Sequence, residues 1–143
     1  MGKYQVKWFR CRAVGWCDLY KVNVNHKMLD NIEAVYICWT GTVADSERRY
    51  LCVGQGLIKD EIGKIRKDMG IKAFEHQGVF ITWAEVPHYR LSSIESFLYK
   101  ELKPIVNIND APTSSPKKVN LPFEKENEFK DGKFSDEFIE SKE

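Results

Sequence analysis

Two glycines one residue apart, Gly54 and Gly56, close the apolar, β-prone run YLCVGQG, and the amphipathic stretch LIKDEIGKIRKDM follows at once. A strand that ends in glycines before a helix is the layout of a phosphate cradle, where backbone N–H groups and a helix N-terminus take up an anion. The spacing excludes the two familiar forms. A Walker loop needs four residues between its glycines and a Lys-Ser/Thr pair after them, and a dinucleotide fingerprint needs a third glycine in a βαβ unit of parallel strands. Neither is present, and the run before the glycines reads most simply as half of an antiparallel hairpin.

Other chemistry-bearing residues are dispersed. Cys11, Cys17, Cys38 and Cys52 show no CxxC spacing and His26, His76 and His88 are scattered, so neither a zinc site nor a disulfide framework is expected. Cys38 and Cys52 lie in strand-like runs and read as small buried apolar residues; Cys11 and Cys17 are the two that could pair or bind metal. The net charge of +1 conceals an asymmetry, with 16 Lys and Arg against 12 Asp and Glu over residues 1–107 and 6 against 9 over 108–143. Residues 1–22 interleave Lys3, Lys7, Arg10, Arg12 and Lys21 with Tyr4, Trp8, Phe9, Trp16 and Tyr20. Cations meeting phosphates and rings stacking on bases would suit a nucleic-acid surface. The same alternation describes a half-buried strand with its cations on the wet face, and that plainer reading is favoured.

The elements that position these groups follow from periodicity. At 143 residues the chain has the length of one domain with enough apolar and aromatic content for a core. No run approaches the roughly 20 apolar residues that cross a bilayer, and MGKYQVKWFRCR lacks a signal-type apolar region, so a soluble cytoplasmic protein is expected, with no membrane partner. IEAVYICWT (32–40) and RYLCVG (49–54) read as strands joined through TGTVADSER into a long hairpin. Ile58, Ile62, Ile65 and Met69 recur at helical steps, with Lys59, Asp60, Lys64, Arg66 and Lys67 on the other faces; Gly63 weakens that helix and Gly70 is a plausible stop. GVFITWAEV (78–86) is a third strand. SSIESFLYKELKP is a second helix, with Ser92 as N-cap and Ile94, Phe97, Leu98 and Leu102 as its buried stripe. The expected fold is α+β: a small antiparallel three-stranded sheet with flanking helices in the order β-β-α-β-α over 32–107. A basic, aromatic extension (1–31) packs on this core, VNLPF docks back from the loop and docking segment 108–123, and an acidic, disordered or marginally helical tail occupies 124–143.

Taken together, AVY at 34–36, CVG at 52–54, the basic helix, the third strand, IE at 94–95 and KPIVN at 103–107 resemble the GIY-YIG nuclease superfamily over roughly half the chain. Membership would imply a GIY-YIG-like fold and divalent-metal-dependent hydrolysis of DNA by an endonuclease. Phosphodiester hydrolysis needs an in-line water, a base and positive charge on the phosphorane-like transition state. The resemblance assigns Tyr36 as base, Glu95 as the ligand of one Mg²⁺ or Mn²⁺, and Asn107 as an organiser of the site. Cys52, Gly54 and Gly56 are the structural residues of the second motif. Lys59, Lys64, Arg66 and Lys67 would face nucleic acid, with Lys64 also reaching the phosphate.

The sequence departs from the pattern in three places, one of them Ile65, where the family has a histidine one turn after the helix arginine. Cys52 stands where the family has tyrosine, with Tyr50 two residues earlier on the same expected strand face. Glu61 stands at the helix position that carries arginine, reversing the sign of the interaction with phosphate. This leaves a second expectation, a nuclease-like domain without hydrolysis that binds nucleic acid or a protein partner. Glu95 and Ser92 also have the spacing of a capping box.

Overall fold

The computed structural model describes residues 3–11, 15–41, 48–106, 108–124 and 126–131. Its elements in chain order are β1 (Trp8–Arg10), β2 (Cys17–Asp18), β3 (Glu33–Thr40), β4 (Arg49–Leu57), α1 (Ile58–Arg66), α2 (Met69–Lys72), β5 (Val79–Glu85), α3 (Leu91–Leu102) and β6 (Phe129–Asp131). The fold is α+β, as expected, but the sheet has six strands instead of three. The hairpin β3–β4 and the third strand β5 give the antiparallel order β4-β3-β5. The amino-terminal segment extends this sheet beyond β5 with β1 and β2, and β6 adds to β1 in parallel.

The extra strands have a physical cause. Trp8 and Phe9 are adjacent in sequence and both buried, Trp8 against the α3 face and Phe9 against the α1 face. Only a strand with core on both sides can bury neighbours that point in opposite directions. Phe129 of β6 fits beside Trp16, ring centroids 5.6 Å apart, so the start of the segment expected to be irregular has an apolar anchor. The fold binds this end back through Asn120 of the VNLPF segment. Its buried amide accepts from Val6 N (2.7 Å) and donates to Val6 O (3.0 Å), while its carbonyl takes the Trp8 indole N–H (2.9 Å). Asn120 thus fixes the VNLPF segment beside Val6 and Trp8. Residues 132–143 of the acidic tail lie outside the described residues.

Period-2 alternation sorts the central strands into two cores. Ala34, Tyr36, Cys38, Cys52, Ile81 and Trp83 face α1, where Ile58, Ile62 and Ile65 pack on them. Val35, Ile37, Trp39, Val53 and Ala84 face α3, against Leu91, Ile94 and Leu98. Two helix boundaries differ from expectation. Met69 leaves the stripe and is exposed, because Asp68 caps a new turn by accepting from Ile71 N and Ile71 becomes the buried residue. Ser92 is not the N-cap: α3 begins one residue earlier, and the capping-box pairing of Ser92 with Glu95 does not form. Leu91 supplies a buried apolar residue at the first position, which draws the helix start toward it.

Cys11 and Cys17 form a disulfide, correcting the expectation of no disulfide. The backbone brings the pair together: Cys11 N donates to Gly15 O, and the two Cα atoms are 5.0 Å apart. Cys38 and Cys52 are free and buried, directly opposite each other on β3 and β4. No helix among the described residues is long and apolar enough to cross a membrane. Within α1, a Cβ placed on Gly63 meets nothing within 4 Å. Gly63→Ala is therefore expected to stabilise the fold by about 0.5–1 kcal/mol, read as a rise in melting temperature of a few degrees.

Candidate active site at the edge of β4

Tyr36 sits in the middle of the sheet, paired with Gly54 on one side and Trp83 on the other, and is fully buried. Its ring reaches across β4 because Gly54 has no side chain. A Cβ there would fall on the Tyr36 hydroxyl, 2.6 Å from Cζ and 2.7 Å from Asn109 Nδ2. The hydroxyl donates to Glu61 Oε1 of α1 (2.8 Å) and accepts from Asn109 Nδ2 (3.3 Å). Asn109 Nδ2 also donates to Val53 O (3.1 Å), and its Oδ1 accepts from Lys64 Nζ (2.8 Å). Lys64 closes the ring with an ion pair to Glu61 at 3.2 Å. Four side chains from β3, α1 and the loop after α3 are thus linked in a closed polar network.

Gly56 completes the entry to α1. Its φ of +142° lies in the region that favours glycine, and a Cβ would stand 3.1 Å from Glu61 Oε2. The glycines act through backbone shape and close approach. Between them, Gln55 points to the opposite face of the edge strand and meets α3, donating to Ser92 Oγ at 3.4 Å and hydrogen-bonding the Glu95 carboxylate. Glu95 is half-buried at this edge, within the electrostatic reach of both Glu61 and Lys64. Desolvation raises its pKa and the Glu61 carboxylate adds to the rise, while the Gln55 hydrogen bond and Lys64 oppose it. Burial drives the Tyr36 pKa far above that of a free phenol, assisted by Cys52 and Glu61 against the Asn109 hydrogen bond. Tyr36 is therefore a neutral phenol across the ordinary pH range.

The structure joins Tyr36 and Lys64 in one network on the α1 face, sets Glu95 on the α3 side of β4 within the electrostatic field of that network, and separates all three from the other helix cations. Arg66 turns to the amino-terminal segment, donating from Nε to Leu19 O (2.8 Å) and from Nη2 to Val22 O (2.6 Å), and desolvation lowers its pKa. That guanidinium ties residues 19–22 to α1. Lys59 pairs with Asp30 at 3.7 Å, and Lys67 is exposed at the end of α1. Cys52 packs beside Tyr36 on the α1 face. Tyr50 does not share that face: a register shift pairs Cys38 with Cys52 but Trp39 with Tyr50, so Leu51 is the extra residue. Tyr50 is turned toward the α3 core and its hydroxyl accepts from Arg48 Nε, so it cannot replace the tyrosine absent at position 52.

Asn107 lies outside the described residues. The asparagine that organises the network is Asn109, two positions on. Sequence reasoning had no signal for it, because a loop residue carries no periodicity. Gln55 did carry one, since strand alternation places it opposite its glycine neighbours. No group of three or more His, Cys, Asp or Glu side chains converges among the described residues. A hard cation here would take the Glu95 carboxylate as its one protein ligand, Glu61 Oε1 being engaged by Tyr36 and Lys64, and the rest of its ligands from water and phosphate oxygens. Mg²⁺ is commonly bound through one or two carboxylates in that way, so the donor set fits. Comparison of the chain with protein-family models, curated proteins and solved structures returned no match.

Proposed function

We propose that the chain is a divergent GIY-YIG-type endonuclease that hydrolyses DNA phosphodiesters with Mg²⁺ or Mn²⁺ bound at Glu95, in the cytoplasm. The observation that carries this reading is the closed Tyr36–Glu61–Lys64–Asn109 network at the β4 edge, with the Glu95 carboxylate of α3 in the electrostatic reach of Glu61 and Lys64. The antiparallel order β4-β3-β5, with α1 after β4 and α3 after β5, supports the finer fold assignment. A bound divalent ion would lower the pKa of a coordinated water and offset phosphate charge. The chain's own groups have separate tasks. Gln55 orients Glu95, Gly54 lets Tyr36 reach α1, and Asn109 holds Lys64 where a phosphate oxygen could replace the asparagine as its partner.

The test is direct. Purified chain with Mg²⁺ or Mn²⁺ is expected to cut plasmid or single-stranded DNA, and EDTA to stop it. Absence of cutting under both metals would end the nuclease reading. A second reading is favoured by one feature: Lys64 is held by Glu61 and Asn109, so the network cation is already neutralised by a carboxylate, while Lys59 stays partly exposed on α1 and Lys67 exposed at its end. Binding of nucleic acid or a protein partner without hydrolysis would then be the function. Its signature is DNA affinity that falls steeply with salt while the DNA stays intact.

A further inference from the structure

We infer that Glu61 is the group that takes the proton of the attacking water, and that Tyr36 is its positioning partner; this rests on the phosphodiesterase reading above. The Tyr36 hydroxyl has one proton, and that proton is given to Glu61 Oε1 at 2.8 Å. Asn109 Nδ2 approaches the oxygen from another side at 3.3 Å, and the ring is fully buried beneath Gly54. A water has no path to this phenol.

Glu61 has what Tyr36 lacks. Its Oε1 is held by Tyr36 and by Lys64 at 3.2 Å, which fixes the carboxylate plane. Its Oε2 lies over the bare Cα of Gly56, where a Cβ would stand 3.1 Å away, and takes no hydrogen bond from a described residue. The side chain keeps 16% of its surface open to solvent. One oxygen is anchored and the other is left over the glycine exit of β4, within electrostatic reach of Glu95, to take a proton from water. The carboxylate at the position where the family has arginine is thus the base. The step balances simply. The water oxygen bonds to phosphorus, its proton passes to Glu61 Oε2, and the P–O ester bond breaks with its electron pair on the leaving sugar oxygen. That oxygen takes a proton from solvent, to which Glu61 returns its own.

The test uses the full chain with Mg²⁺ and supercoiled plasmid. Glu61→Gln keeps the shape and an acceptor for Tyr36, and is expected to lower kcat by about a hundredfold or more while DNA affinity stays within about threefold. Tyr36→Phe keeps the base and is expected to lose no more than about tenfold. Glu61→Ala is expected to regain about tenfold when formate is added, a response that a merely structural role would not give. Wild-type rates in Glu61→Gln, or a Tyr36→Phe loss as large as that of Glu61→Gln at an unchanged melting temperature, would overturn the assignment. So would formate leaving a folded Glu61→Ala variant unaffected. Where Glu61→Ala fails to fold, the isosteric Glu61→Gln and Tyr36→Phe pair decides. A wild type that does not cut overturns the parent reading and this one with it, whereas a cutting wild type with an unimpaired Glu61→Gln overturns this one alone.

Discussion

Gly54→Ala is expected to destabilise the fold by about 3 kcal/mol, at the upper end of what overpacking a well-packed core costs, and to lower the melting temperature by about 10 °C. The added methyl would occupy the site of the Tyr36 hydroxyl and press within 2.6 Å of Cζ and 2.7 Å of Asn109 Nδ2. Tyr36 has no room to retreat, being fully buried with Trp83 as its other cross-strand neighbour. Moving it also breaks the hydrogen bonds to Glu61 and Asn109, and buried polar groups left without partners add their own cost. Strand propensity runs the other way, since alanine is favoured over glycine within a strand by about 0.5–1 kcal/mol, several-fold less than the steric term. Thermal or urea unfolding measures the difference. The double variant Gly54→Ala with Tyr36→Phe removes the hydroxyl and is expected to recover part of the loss, so a double variant no more stable than Gly54→Ala alone would place the clash elsewhere.

Glu95→Gln is expected to abolish metal-dependent cutting, by at least a hundredfold, without weakening the fold. Because desolvation raises the folded-state pKa of this carboxyl, its stability contribution is full below the unfolded pKa and is lost as pH rises through the folded one. At neutral pH the ionised carboxylate therefore costs stability, and glutamine relieves that cost. The melting temperature without metal should be unchanged or slightly raised at pH 7.5. Under the proposed function, a divalent ion at Glu95 would reverse the balance by supplying the missing positive charge. At tenfold excess over its dissociation constant it would stabilise the wild type by about 1.4 kcal/mol, a shift of about 5 °C. That shift should vanish in Glu95→Gln, and in the wild type as the pH falls through the raised Glu95 pKa. A Mg²⁺-dependent shift that persists in Glu95→Gln would remove the metal from this residue whatever the outcome of the cutting assay.

Within the site, Glu61 and Tyr36 are coupled through one interaction. An arginine at position 61 would place a second cation beside Lys64; glutamate instead gives that lysine a partner and gives the buried Tyr36 hydroxyl an acceptor. The change at 61 and the neutral phenol at 36 therefore suit each other. Cys52 fits the same arrangement, a small side chain opposite Cys38 where the α1 face is already filled by Tyr36 and the Ile58/Ile62/Ile65 stripe.

The sequence by itself determined the elements whose signal is local. Alternation in 32–40 and 78–86, the turn between the hairpin strands and the steps of Ile58, Ile62 and Ile65 required β3, β4, β5 and α1, because side-chain direction in a strand or helix is set by periods of 2 and 3.6. It also placed Tyr36, Gly54, Lys64 and Glu95 on adjoining elements. What it did not determine depends on long-range partners. Trp8 and Phe9 join the sheet because β5 has an open edge and a core on each side of it. Tyr50 changes faces because one residue, Leu51, is extra in the ladder, and a single-residue slip reverses every side chain before it. Arg66, a cation on an exposed-looking helix face in the sequence, is claimed by the carbonyls of Leu19 and Val22 from 44 or more residues away. Asn109 enters the site only because the loop after α3 returns along the outer edge of β4, where Ile105 N and Val106 N take the free carbonyls of Tyr50 and Leu51. An unpaired strand edge needs hydrogen-bond partners, and which loop supplies them is decided by the closed fold.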